Sequence, residues 1–135
     1  MKILICTPYG IDEARGNSVA ARRLRDGFCH SGHEVFVLDR CEAAGAEGAE
    51  ERIRTFGPHV GLVMHGWRCA AYFRAVRTVC DAPVIVSLRG TDLNEMMKDR
   101  ERRPTIREVL VRCDGIAVFS HRAREVLAGE DESLA

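Results

Sequence analysis

Strand-length apolar runs alternate with helix-period segments along this chain, and few architectures accept that alternation. Lys2 to Thr7 reads as a first strand whose apolar residues run on without polar alternation, the pattern of a strand buried on both faces. Pro8-Tyr9-Gly10 ends it, and a loop leads through Arg15-Gly16 into a helix expected from Asn17 to Ser31-Gly32. Ala20, Leu24 and Phe28 fall on one face of that helix, and Gly32 supplies its left-handed stop. Val35 to Leu38, Val60 to His65, Pro83 to Leu88 and Gly115 to Phe119 repeat the strand signal. Between them lie helical segments from Glu42 to Phe56, along the Cys69, Phe73, Val76 and Cys80 stripe, and after Pro104 with Ile106, Val109, Leu110 and Cys113 buried. Ser120 caps a last helix that frays into Gly129-Glu130-Asp131-Glu132.

Such alternation predicts right-handed β-α-β units. The expected fold is an α/β, Rossmann-like, doubly wound parallel sheet of about five strands with helices on both faces. At 135 residues the chain is expected to form a single domain spanning 1–135. Ligands of these sheets sit beyond the carboxyl ends of the strands, where the strand order reverses. That rule selects the loops after Thr7, Leu38, His65 and Leu88.

Charge excludes some partners. The 20 basic residues balance 20 acidic ones, so net charge gives no reason to expect nucleic acid or a membrane surface. All the basic residues except Lys2 and Lys98 are arginines, which follows either from base composition or from a need to grip phosphates and carboxylates bidentately. The 6 cysteines form no C-x-x-C pair and no zinc or disulfide spacing, so free thiols in a cytoplasmic protein are expected. No run reaches membrane-spanning length, and Ile3 to Cys6 is too short for a signal-peptide core.

Three of the selected loops carry polar residues. Gly16-Asn17-Ser18 opens the first helix, where free N–H groups attract anions and where Asn17 or Ser18 could equally serve as a plain cap. The G-x-G-x-x-G spacing of a dinucleotide site is absent. His65-Gly66-Trp67-Arg68 sets an imidazole, a stacking surface and an anion clamp at the end of the third strand; His65 fits a proton-transfer role or a structural one. Arg89-Gly90-Thr91-Asp92-Leu93-Asn94 follows the fourth strand. Asp92 and Glu95 match a capping box, which leaves Arg89 and Gly90 unexplained. Ser120-His121-Arg122 is the weakest candidate, and no metal-ligand cluster, nucleophile elbow or Walker loop is present in the sequence.

The Lys2-Ile3-Leu4-Ile5 start, Gly32-His33-Glu34-Val35, the strand ending in His65-Gly66, the Gly90-Thr91-Asp92 turn and Gly115 to Phe119 before Ser120 stand in an order that resembles the N-terminal domain of family 4 retaining glycosyltransferases. Gly16-Asn17 and Gly90-Thr91-Asp92-Leu93 are similar to the branch that includes selenosugar synthases. The resemblance implies the acceptor-side half of a GT-B transferase using a nucleotide-sugar donor, inactive without a donor-binding second domain that these residues do not include. It implies catalytic roles for His65, Arg89 and Asp92, and substrate or donor contacts from Gly16, Asn17, Arg68, Gly90, Thr91 and Asn94, with no metal and no cofactor. Two departures count against it. Arg89 stands where many members carry a histidine, and the usual Gly-Gly of the first loop is reduced to Gly16-Asn17.

The alternative expectation is a non-catalytic Rossmann-like module that binds a phosphorylated small ligand or a partner protein, or one chain of a split transferase. A homodimer through the loop edge, with Trp67 in the contact, is a further expectation.

Overall fold

The computed structural model describes residues 1–41 and 46–130, and everything below refers to them. Its strands are β1 (Lys2–Cys6), β2 (Glu34–Leu38), β3 (Val60–Val63), β4 (Val84–Ser87) and β5 (Gly115–Ala117). They form one sheet in the order β2-β1-β3-β4-β5, with every pairing parallel. The helices are α1 (Gly16–His30), α2 (Ala49–Phe56), α3 (Ala70–Val79), α4 (Thr91–Asn94), α5 (Arg103–Arg112) and α6 (His121–Glu130), with a 3-10 turn at Met96–Lys98. The doubly wound α/β class is therefore as expected.

Backbone stereochemistry sets the helix ends. Gly32 closes α1 at φ 83°, and Gly57 closes α2 at φ 63°, both in the left-handed region that glycine enters without penalty. Glu42 to Phe56 was expected to be one helix; residues 42–45 lie outside the described residues, 46–48 form a turn, and α2 begins only at Ala49. β3 stops at Val63 rather than His65, because Met64 donates a last sheet bond to the Cys6 carbonyl and the chain then turns.

The larger core lies between the sheet and α2, α3 and α5, with Leu4, Cys6, Val63, Phe73, Val76, Val86 and Ile106 at its centre. The opposite sheet face is covered by α1, whose Ala20, Ala21, Leu24 and Phe28 pack on Ile3, Ile5 and Met64. Toward β4 and β5 this cover runs out: Ile85, beside Gly115 in the register, is 38% exposed on that face. The final helix does not return to cover it, since Leu127 of α6 packs into the larger core and Arg103 of α5 pairs with Glu130 of α6.

Candidate functional site

In this strand order the chain reverses direction between β1 and β3, so the crevice between their carboxyl ends is where a ligand is expected. A cavity of about 340 Å³ opens there, lined by Tyr9, Gly16, Asn17, His65, Arg68, Arg89 and Thr91. A larger one, about 590 Å³, lies on the outer side of the β4 turn against α6. Arg89 lines both.

The first wall of the smaller cavity is the loop from Pro8 to Arg15 and the start of α1. Arg22 donates to the carbonyls of Ile11 and Glu13, and Asp39 accepts the Ile11 N–H at 2.9 Å, which pins this loop to α1 and to the end of β2. The residue preceding α1 is Arg15, and no side chain caps the helix. Neither Asn17 nor Ser18 is the cap that the sequence offered. The first turn carries no acidic residue, so its N–H groups keep the positive end of the helix dipole at the cavity rim.

The second wall follows β3. His65 is buried, and its Nδ1 accepts the N–H groups of Trp67 at 3.3 Å and Arg68 at 3.2 Å. With Nδ1 accepting, Nε2 is the nitrogen that carries the proton. The imidazole therefore braces the turn that follows β3. Trp67 does not line the cavity; it packs on the core, with the Arg102 guanidinium 4.5 Å from its ring. Arg68 does line it, its guanidinium 5.7 Å from the Tyr9 ring. Tyr9 carried no site signal in the sequence, because Pro8-Tyr9-Gly10 reads equally well as a strand terminator.

The third wall is the β4 turn. Asp92 neither faces the cavity nor forms a capping box: α4 has no side-chain cap, and Asp92 is completely buried. Its Oδ2 accepts the Gly66 N–H at 3.1 Å and its Oδ1 accepts the Arg89 N–H at 3.0 Å. The carboxylate thus ties the loops after β3 and β4 together. Gly90 adopts φ 104°, ψ −61°, a conformation essentially closed to residues with a Cβ. Gly90 and Asn94 line the larger cavity, whereas Thr91 lines the smaller one. The candidate residues are therefore divided between two spaces, with Asp92 sealed between the turns. Arg89 lies with its guanidinium 4.6 Å from the Phe119 ring and has no carboxylate partner among the described residues. Phe119 was legible only as the end of a strand.

Below this edge lie buried thiols. Burial, with Cys41 close by, holds Cys69 well above the usual thiol range, and burial does the same to Cys6. Protonated, inaccessible thiols make no nucleophile. No two of the 6 cysteines are joined in the structure. Among the described residues no cluster of His, Cys, Asp and Glu could hold a metal, and no helix is long and apolar enough to cross a membrane.

No protein-family model matches the chain, and no curated protein matches it significantly. Among solved structures it is similar to the signal receiver domain of a modulated diguanylate cyclase from Desulfovibrio desulfuricans G20, described as an example of alternate folding. The two are 16% identical with a TM-score of 0.56 over 99% of this chain and 98% of the other. That likeness points away from a family 4 glycosyltransferase, from its selenosugar synthase branch and from either a GT-B half or a split transferase, and a nucleotide-sugar donor has no support. The physical reason lies in the motifs themselves. Gly32 and Gly90 meet backbone requirements and Asp92 ties two loops, so these residues serve the fold without specifying transferase chemistry. At 16% identity, the likeness shows the doubly wound fold alone.

Proposed function

We propose that residues 1–135 form one non-catalytic, regulatory binding domain whose carboxyl sheet edge takes a small phosphorylated ligand. The observation that carries this reading is a single one: the guanidinium-bearing side chains of Arg68 and Arg89 line one cavity with Gly16 and Asn17, at the uncapped start of α1. Guanidinium forks and helix N-terminal N–H groups are the donors that phosphate oxygens accept best. His65 supports the turn that carries Arg68, and Thr91 adds a hydroxyl at the rim.

Phosphate is read as a ligand and not as a modification of Asp92. An acceptor carboxylate must be reached by its donor, whereas both Asp92 oxygens are occupied by backbone N–H groups in the interior. A second reading, docking of a partner protein on the same edge, draws on the signal-receiver description of the structural neighbour and on the exposed Phe119 ring.

Titration of isotope-labelled protein with inorganic phosphate at constant ionic strength tests the first reading. Saturable amide shifts are expected at Gly16, Asn17, Arg68 and Arg89, with chloride as the control. Shifts that persist unchanged in an Arg68→Ala/Arg89→Ala variant, or their absence at millimolar phosphate, would leave only the partner reading.

A further inference from the structure

The larger cavity is lined by Leu88, Leu93, Phe119 and Val126 together with Arg89 and Asn94, so apolar and polar side chains share its wall. Phe119 is 67% exposed and Val126 36%, so two of the few large apolar side chains left in contact with water meet at this one depression. Arg122 from α6 stands at its margin. Among the described residues, Arg89 is the one lining residue that this cavity shares with the phosphate site.

Stacking on Phe119 also explains how one guanidinium can serve both spaces. A guanidinium laid against a ring keeps its N–H fork in its own plane, free to reach an anion at its edge. An anion held by that fork would have its substituent directed past Arg89, over the Phe119 side of the turn.

We infer that the larger cavity receives the flat apolar body of the same ligand, which is therefore an organic phosphate bearing an aryl or comparably planar group. This rests on the reading of the smaller cavity as the phosphate site. The phosphate lies between Arg68 and Arg89, and the planar group lies against the exposed side chains of Phe119 and Val126. The burial of that group contributes affinity that inorganic phosphate cannot supply.

Calorimetric titrations with inorganic phosphate and with phenyl phosphate test it on the wild type, Val126→Asn and Phe119→Ala. Both substitutions are at exposed positions, so the fold is retained. Phenyl phosphate is expected to bind at least about tenfold more tightly than inorganic phosphate. Val126→Asn should remove that advantage while leaving inorganic phosphate unchanged, because position 126 does not line the smaller cavity. Phe119→Ala should remove the advantage too. Equal affinity for the two probes, or an advantage that survives Val126→Asn, overturns this inference and leaves the phosphate site standing. Binding of neither probe overturns the phosphate site, and the inference with it.

Discussion

Asp92 and Gly66, twenty-six positions apart, meet in the interior, where the carboxylate accepts the glycine N–H at 3.1 Å. With the Arg89 N–H on its other oxygen, Asp92 joins two loops that share no other sequence signal. A helix cap would tolerate asparagine, since Asn and Asp cap about equally well. This position should not. Asparagine has one acceptor oxygen, and its NH₂ group would face a second N–H donor. Asp92→Asn is expected to cost about 1–3 kcal/mol, the usual loss when a buried polar group loses its partner. Urea denaturation measures it, and an unchanged midpoint would show that the tie is dispensable.

Gly90 tests the same turn through the backbone alone. A Cβ there would lie 3.7 Å from Asn94 Nδ2, an ordinary contact, so space is not the obstacle. The obstacle is φ 104°. Gly90→Ala should destabilise the domain by about 1–3 kcal/mol through strain. Thermal melts of the variant beside Gly129→Ala, a helical position with open space, separate strain from crowding.

Arg89→Ala should behave in the opposite way. Its side chain contributes a single stack on an exposed ring, worth about 0.5–1 kcal/mol. Phosphate affinity, by contrast, should fall by about tenfold or more, as expected for a lost charge-assisted hydrogen bond. A variant that melts early yet binds phosphate normally would reverse the assignment of Arg89 from ligand contact to scaffold.

How much of this was legible beforehand depends on the range of the interaction. The stops at Gly32 and Gly57 and the Ser120 cap, which accepts the Ala123 N–H at 3.1 Å, were readable because each is settled within a few residues. The spacing of Asp92 and Glu95 satisfied a local rule, but a partner in another loop took the carboxylate instead. Tyr9 and Phe119 were missed for a related reason: their roles exist only once β1, β3, β4 and α6 are side by side. The glycosyltransferase resemblance failed on motifs such as Gly90-Thr91-Asp92, where the sequence pattern records a turn rather than a reaction.

Asp114 gives the domain a defined acid response. Val84 donates its N–H to Oδ2 at 2.7 Å and Arg77 pairs with the same oxygen, so both hold the carboxyl below its ordinary range. A depressed folded-state value means that the unfolded chain takes up the proton first as acid is added. The stabilisation is therefore complete above the ordinary Asp value of about 4 and disappears as pH falls through the lower folded one. Asp114→Asn should be less stable than wild type at pH 7, with the gap closing below about pH 4. A gap that is constant from pH 7 to pH 2 would remove Asp114 from the account of acid unfolding.

The thiols respond at the other end of the scale. Burial raises Cys6 and Cys69, so above about pH 8.5 the unfolded chain releases protons that the folded one keeps, and stability should decline from there upward. In native protein at pH 8, exposed Cys29 should be the first thiol to react with a disulfide reagent, while Cys6, Cys41 and Cys69 wait for unfolding. A rapid phase that survives Cys29→Ser would contradict this ordering.

Ile85 is partly exposed at the end of the sheet face where the cover of α1 runs out, next to an edge strand of only 3 residues. A strand so short offers little backbone for another chain to template on, which limits ordered stacking. The partly exposed Ile85 side chain remains available for apolar contact, and excluded salts such as sulfate strengthen that kind of burial. In concentrated salt the uncovered end of the α1 face is therefore one place where copies can meet, in addition to the more exposed Phe119 and Val111.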